Sequence, residues 1–217
     1  KTGKDVLGSV LSSLPILVQH ESFRVRLTVI EATIGLMAGN WATLLADEKV
    51  LIKDTLTAGF SDTVPEVQML AQAGFAGYLG FKTNRELRNL SESFCRNSDK
   101  YVAIERQNKK KAAAASKESG TNGNGAGTEK ADPKFINMVN MMCCIVKAAP
   151  YDLPDYVPHL LACLVRHAST PLLKEPISKT VLEFKRTHQD RWTEFKEMFS
   201  AEQLDSLVGA THLSYLS

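Results

Sequence analysis

Residues 21–40 read ESFRVRLTVIEATIGLMAGN, and this stretch decides the fold because the rest of the chain repeats it. Its apolar side chains recur at roughly helical spacing, which predicts an amphipathic helix. These side chains are Phe23, Val25, Leu27, Ile30, Ile34, Leu36 and Met37. Similar stretches follow at residues 62–80, 133–149 and 175–187.

The spacing of these four stretches predicts the architecture. Pro65, Phe135 and Ile177 take the position of Phe23, so the successive steps are 42, 70 and 42 residues long. The long step contains a low-complexity segment, and without that segment it falls to the mid-forties. Repeats of about 40 to 47 residues built on paired helices are typical of HEAT and armadillo proteins. We therefore predict an all-α, HEAT/armadillo-like α-solenoid of about four helix pairs. We expect one apolar position in each successive repeat to be buried: Phe23, Val67, Phe135 and Ile177.

Two segments do not fit the repeat pattern. Residues 109–132, KKKAAAASKESGTNGNGAGTEKAD, contain almost no bulky apolar side chain and cannot bury enough surface to offset their ordering entropy. We predict a disordered insertion there. Residues 209–217 follow the last helical pattern and are predicted to form a short C-terminal tail. The remainder, within residues 1–217, is predicted to be a single HEAT-repeat domain.

Composition favours a globular protein of ordinary type. Of the 217 residues, 44% are hydrophobic and 23% are charged, and the net charge of +2 is too small to indicate a nucleic-acid or membrane partner. No apolar run reaches the roughly 20 residues that a membrane span needs. The chain begins without a methionine or a signal-peptide pattern, so we expect an excerpt of a longer polypeptide.

The sequence contains no recognisable catalytic or metal-binding pattern. The five histidines form no H-x-x-x-H pair, and the four cysteines form no C-x-x-C pair, so we predict no metal site, no cofactor and no enzymatic activity. The cysteines are predicted to be buried free thiols in a reducing compartment. A basic face near the C-terminus remains open as a polyanion site or a solvated surface. It would comprise Lys185, Arg186, His188, Arg191 and Lys196.

The last third of the sequence carries a more specific signal. Residues 149–171, APYDLPDYVPHLLACLVRHASTP, and 179–207, KTVLEFKRTHQDRWTEFKEMFSAEQLDSL, resemble the C-terminal region of the large, ATP-independent proteasome activators built from HEAT repeats. Two motifs are distinctive in combination: Pro-Tyr-Asp-x-Pro at 150–154 and Phe-x-Arg-Thr-His at 184–188. Residues 5–26 are also similar to this family.

The resemblance implies a mode of binding to the proteasome core particle. Members of that family are dome-shaped solenoids that cap the proteasome core particle, and their last three residues insert between two subunits of its outer ring. The terminal carboxylate is expected to pair with a lysine in the pocket, while a penultimate tyrosine helps to move the gate. These positions are Tyr215, Leu216 and Ser217 here. Because Leu216 replaces the tyrosine and has no hydroxyl, we expect docking to persist and gate opening to weaken.

The resemblance also implies a cellular setting. The family is associated with nuclear and cytoplasmic proteolysis and DNA repair, and with acetylated histones and inositol phosphates as further partners. No residue of this chain can be assigned to those partners, and no membrane partner is expected. A generic HEAT-repeat scaffold or transport adaptor, binding protein partners on its concave face, is the alternative. The last three residues would be irrelevant to such a scaffold.

Overall fold

The computed structural model of the chain describes residues 3–118 and 132–212. In these residues the backbone forms ten α-helices, a few 3-10 turns and no strand, which confirms the all-α prediction. The helices are α1 Gly3–Leu17, α2 Phe23–Asn40, α3 Ala46–Ala58, α4 Pro65–Leu79, α5 Asn84–Glu118, α6 Pro133–Lys147, α7 Val157–Val165, α8 Pro171–Thr187, α9 Trp192–Phe195 and α10 Ala201–His212. No helix in the described ranges has both the length and the apolarity to cross a membrane.

The first eight helices form pairs that stack in two layers. Helix α2 packs on α4, α4 on α6, and α6 on α8, so the second helix of each pair belongs to one layer. In the other layer α1 packs on α3, α5 packs on α7, and α7 also contacts α10. Each pair therefore buries its apolar faces against its neighbours, as solenoid repeats do. The predicted arrangement of four helix pairs is confirmed.

Three of the four predicted repeat positions are buried. Val67 and Ile177 are inaccessible to solvent, and Phe135 is nearly so. The prediction for Phe23 is wrong, because 43% of its surface is exposed. Phe23 is the first residue of α2, and this helix buries its later turns through Val29, Ile30, Thr33 and Met37.

Small residues of α4 permit a close helix contact. A Cβ atom on Gly74 would lie 2.7 Å from Cγ1 of Ile34 on α2 and 2.9 Å from Cδ2 of Leu56 on α3. Both distances are too short for carbon atoms, so a larger residue at position 74 would push α4 away from its two neighbours. Gly74 thus allows α2, α3 and α4 to pack together.

The boundaries of the two irregular segments differ from the prediction. Helix α5 continues through Glu118, so residues 109–118 are helical and not part of a disordered insertion. Alanine and lysine, which dominate this stretch, have high intrinsic helix propensity. Asp132 is the N-cap of α6, and its Oδ1 accepts a hydrogen bond from the backbone N–H of Lys134 at 2.9 Å. Residues 119–131 lie outside the described residues, and their disorder stays a prediction. Helix α10 extends through His212, so the predicted tail is helical at residues 209–212.

Candidate functional site: the platform that precedes the C-terminal tail

The predicted docking residues Tyr215, Leu216 and Ser217 lie outside the described residues. The structure does describe the helix that leads to them. Helix α10 ends at His212, five positions before Ser217, and it packs against α7 and α8. The surroundings of α10 therefore determine where the tail starts.

A reciprocal pair of hydrogen bonds fixes the start of α10. The backbone N–H of Ser200 donates to Oε1 of Gln203 at 2.9 Å, and the N–H of Gln203 donates to Oγ of Ser200 at 3.2 Å. This capping box satisfies two backbone donors that the first helical turn would leave without partners.

Apolar contacts hold α10 against its neighbours. Leu207 is almost completely buried, and Leu204 packs against the core. A cleft of about 450 Å³ remains between α10 and the end of α8. Its lining residues are Lys185, Arg186, Gln189, Trp192, Leu204, Leu207 and Val208. Burial lowers the pKa of Lys185 at the edge of this cleft.

Below α10, an aromatic cluster joins α8 to α9. The rings of Phe184 and His188 stack with centroids 4.2 Å apart, and His188 meets Phe195 edge-on at 5.3 Å. The ring centroids of Trp192 and Phe199 are 5.8 Å apart, and the ring of Phe199 also contacts that of Phe184. Pairs in these geometries contribute beyond the area that they bury. The cluster gives the C-terminal helices a rigid base.

The two motifs that carried the family resemblance meet at His188. Its imidazole is only 2% exposed, and Nε2 donates a hydrogen bond to the backbone oxygen of Asp152 at 3.1 Å. The Nδ1 side of the ring lies 2.9 Å from Oγ1 of Thr187 and 2.8 Å from the oxygen of Phe184. The end of α8 is thereby attached to the turn at 150–154, 36 residues earlier.

The proposed basic face is not assembled as predicted. His188 is buried in the aromatic cluster and does not reach the surface. Arg191 is paired with Glu194, whose Oε2 lies 2.9 Å from its Nη2, and its guanidinium also covers the ring of Phe195 at 4.8 Å. The prediction was wrong for His188 because a histidine next to two basic residues looks the same in sequence whether it points outwards or inwards.

A separate groove lies between α3 and α5, above α4 and α6. Its volume is about 800 Å³, and apolar side chains form most of its floor. They include Phe75, Tyr78, Leu79, Leu90, Phe94 and Met141, with Lys53, Lys82 and Lys134 also in the lining. The hydrogen bond from Lys82 to Glu86, at 3.2 Å, keeps one of these lysines at the mouth of the groove.

All four cysteines are buried and free, as predicted, but the sequence did not indicate that two of them share a site. Cys95 of α5 and Cys163 of α7 lie beside His159, and their sulfur and nitrogen atoms are all within 4.8 Å of one another. A search for H-x-x-x-C as well as H-x-x-x-H would have found His159 and Cys163. Cys95, 64 positions earlier, carries no local signal of its own.

Comparison with known proteins agrees with the resemblance indicated by the motifs at 150–154 and 184–188. Residues 134–217 match the family described as proteasome activator complex subunit 4-like, C-terminal. Proteasome activator subunit 4 of Arabidopsis thaliana is 26% identical over 215 residues, which is 96% of this chain and 10% of that protein. The Xenopus laevis and Homo sapiens proteins named proteasome activator complex subunit 4 are 35% and 33% identical over 72 residues, 33% of this chain and 4% of each protein. The chain thus spans a tenth or less of the length of these relatives.

Proposed function

We propose that this chain is the docking part of a non-enzymatic proteasome regulator, because residues 134–217 match the family described as proteasome activator complex subunit 4-like, C-terminal. In this proposal Tyr215, Leu216 and Ser217 bind a groove on the outer ring of the core particle. The match to the family carries the proposal, since it includes both the platform and the tail.

The platform supports the proposal physically. A short peptide loses conformational entropy when it binds, so a fixed starting point reduces the cost of docking. The capping box at Ser200 and the buried Leu207 hold α10 in place up to His212, five positions before Ser217.

The chemistry of the tail suits carboxylate capture. A free terminal carboxylate beside apolar side chains is a known mode of short-peptide recognition. Tyr215 fills an apolar position, and the carboxylate of Ser217 pairs with a basic side chain of the partner. Leu216 supplies volume without a hydroxyl, so we propose that this tail docks and that its effect on the gate is weak.

A binding experiment with four versions of the chain tests the proposal. Purified core particle is mixed with the chain, with a version lacking Tyr215–Ser217, with a version carrying one added glycine after Ser217, and with Leu216→Tyr. We expect the deletion to lose binding. The added glycine should weaken it, because it moves the carboxylate while every native side chain remains. Leu216→Tyr should raise the peptidase activity of the core particle.

Ser214→Ala is the matched control, since it alters a neighbouring side chain and keeps both the length and the carboxylate. Its binding should equal that of the unchanged chain. If the deletion and the added glycine bind as well as the unchanged chain does, the tail is not the anchor and this proposal is wrong.

The groove between α3 and α5 favours a second candidate, a HEAT-repeat scaffold that binds a protein partner there. Its apolar floor suits an apolar segment of a partner, while Asp54 and Glu86, which also line the groove, pair with Lys53 and Lys82 and offset their charges. Binding in this groove would be insensitive to deletion of Tyr215–Ser217 and sensitive to Met141→Glu. The two candidates therefore differ in the variants that abolish binding.

On the resemblance alone, we also propose that the chain acts in the nucleus and the cytoplasm. Acetylated histones and inositol phosphates are further proposed partners on the same basis, without assigned residues. Fractionation of cells that express the tagged full-length protein would test the location.

A further inference from the structure

The cluster of Cys95, His159 and Cys163 offers three metal ligands from two helices. His159 and Cys163 are four residues apart on α7, so they lie on one face of that helix. Cys95 faces them from α5. Both thiols are buried, at 3% and 1% exposure, whereas the imidazole of His159 is exposed. Thiolate and imidazole are the ligands that Zn²⁺ prefers.

The distances fit tetrahedral zinc. With Zn–S bonds of about 2.3 Å and Zn–N bonds of about 2.0–2.1 Å, a sulfur and a nitrogen bound to the same ion lie about 3.6 Å apart. Sγ of Cys163 and Nε2 of His159 are 3.7 Å apart. For two sulfurs the corresponding distance is about 3.8 Å, and all three ligand atoms lie within 4.8 Å of one another.

The charges around the cluster also suit a divalent cation. Two thiolates neutralise Zn²⁺ and leave the imidazole as a neutral third ligand. Arg166 donates a hydrogen bond from Nη2 to Sγ of Cys163 at 2.9 Å, and its charge is balanced by Asp99, whose Oδ1 is 3.1 Å away. Outer groups that bond to the ligands in this way orient them and tune their basicity.

A metal ion displaces protons from both thiols, since the thiolate is the form that binds metals.

A fourth coordination position is available at the surface. A cleft of about 260 Å³ adjoins His159 and Cys163 and extends to the N-terminal part of α10, where Glu202 and Gln203 line it. A water molecule or a carboxylate from this cleft can complete the tetrahedron. Sites with three protein ligands and one open position are typical of zinc that also binds a further ligand.

From this geometry we propose that Cys95, His159 and Cys163 form a zinc site that joins α5 to α7, with its fourth position open towards the cleft beside α10. The sequence motifs and the family match do not assign a metal to these residues. The proposal is also independent of tail docking, because none of the three ligands belongs to residues 213–217.

The reduced 217-residue chain is titrated with Co²⁺, which substitutes for Zn²⁺ and reports on its ligands by absorption. We expect one Co²⁺ per chain, a thiolate-to-cobalt charge-transfer band in the near ultraviolet, and the visible bands of a tetrahedral ion. Zn²⁺ should displace the cobalt and abolish these bands. The zinc content of the purified chain, measured by mass spectrometry, should be near one per chain.

Variants separate this site from other ligands. Cys95→Ser and Cys163→Ser should lose the charge-transfer band or reduce it strongly, whereas Cys143→Ser, which alters a buried thiol elsewhere, should keep it. His159 is exposed, so His159→Gln tests the site without disturbing the core. It should raise the dissociation constant for Zn²⁺ by at least about 10- to 100-fold, the range known even for outer-shell changes. His20→Gln is its control.

The outcomes that overturn the proposal are equally definite. They are the absence of a thiolate-to-cobalt band in the folded, reduced chain, an unchanged affinity in His159→Gln, or a band of unchanged intensity in Cys163→Ser. A disulfide between Cys95 and Cys163 in chain purified without added oxidant would also overturn it, because the thiols would then serve a redox role.

Discussion

Two polar links, one near each end of the described chain, join a helix to a turn 36 residues away. Near the start, Nε and Nη2 of Arg26 donate hydrogen bonds to Oδ2 and Oδ1 of Asp62 at 2.6 and 2.8 Å. The guanidinium and the carboxylate therefore form a bidentate ion pair. Near the other end, His188 donates to the backbone oxygen of Asp152. The first link depends on a charged side chain, and the second depends on the course of the main chain.

This difference explains why the C-terminal motifs are informative. The turn at 150–154 contains two prolines, which restrict the backbone and present the oxygen of Asp152 to His188. The side chain of Asp152 takes no part in that bond. The contact of the turn at 150–154 with His188 therefore depends on the conformation of the backbone, whereas the Arg26–Asp62 link depends on the charges of two side chains.

The apolar positions of the two regions also differ. Phe23 on α2 is 43% exposed, and Val6, Val10 and Leu17 share an exposed stripe along α1. Phe135 on α6 is buried, stacked on Tyr101 with centroids 4.0 Å apart and in edge contact with His167 at 5.1 Å. Positions that are equivalent in the repeat thus differ in how many neighbours cover them.

The largest expected effect comes from truncating the covered ring. Phe135→Ala should lower the free energy of unfolding by about 3 to 5 kcal/mol, because it removes a buried aromatic side chain and leaves a cavity. Phe23→Ala is the matched change at the exposed position and should cost about 1 kcal/mol or less. Urea denaturation of both variants measures the difference. Equal losses of unfolding free energy in the two variants would show that Phe23 and Phe135 are buried to the same extent.

The second-largest effect is expected when the link between His188 and the backbone oxygen of Asp152 is removed. His188→Ala should cost about 2 to 4 kcal/mol, since it removes a buried ring from the aromatic cluster and leaves the oxygen of Asp152 without its donor. Faster hydrogen exchange in α8 and α10 should accompany the loss. Asp152→Asn is the control and should change little, because the acceptor is a main-chain atom. A large loss in Asp152→Asn would contradict this account of the link.

The features that could be predicted from the sequence are those with a local signal. Helical spacing predicted the helices of the four pairs, and the N-cap at Asp132 and the capping box of Ser200 and Gln203 are likewise local patterns in the sequence. Each of these depends on residues at most a few positions apart, so the sequence contains the whole interaction.

The features that could not be predicted depend on contacts between distant segments. His188 looks like part of a basic surface until α6 and α7 bring Asp152 beside it, and Cys95 meets Cys163 only through the packing of α5 on α7. The exposure of Phe23 depends on which helices cover the first turn of α2. The extension of α5 was missed for a different reason: a segment poor in apolar residues was treated as disordered although alanine and lysine favour helix.

A smaller effect tests the platform below the tail. Ser200→Ala or Gln203→Ala should each cost about 1 kcal/mol, because each removes one side of the capping box. The loss should be confined to α10, so hydrogen exchange would accelerate in its first turn and stay unchanged in α2. The double variant should lose little more than the two single variants together. Unchanged exchange in α10 would mean that packing on α7 and α8 alone fixes its start.

The last prediction sharpens the contrast between the two links by changing pH. Hydrogen bonds from Arg26, with further help from the backbone N–H of Val64, lower the pKa of Asp62 below its ordinary value of 3.8. A carboxyl group whose pKa is lower in the folded state stabilises the fold above its unfolded pKa, and this stabilisation is lost as the pH falls through the folded pKa. Between about pH 5 and pH 2, the unfolded chain therefore takes up protons at Asp62 before the folded chain does.

Asp62→Asn removes that titration and keeps a side-chain oxygen that can accept from Arg26. The variant should start with lower stability than the unchanged chain at neutral pH and lose less on acidification, with up to one proton fewer taken up on unfolding. Urea denaturation at several pH values measures both slopes. Parallel curves for Asp62→Asn and the unchanged chain would show that the carboxylate of Asp62 has the same pKa in the folded and unfolded states, and that the Arg26–Asp62 link contributes geometry without charge.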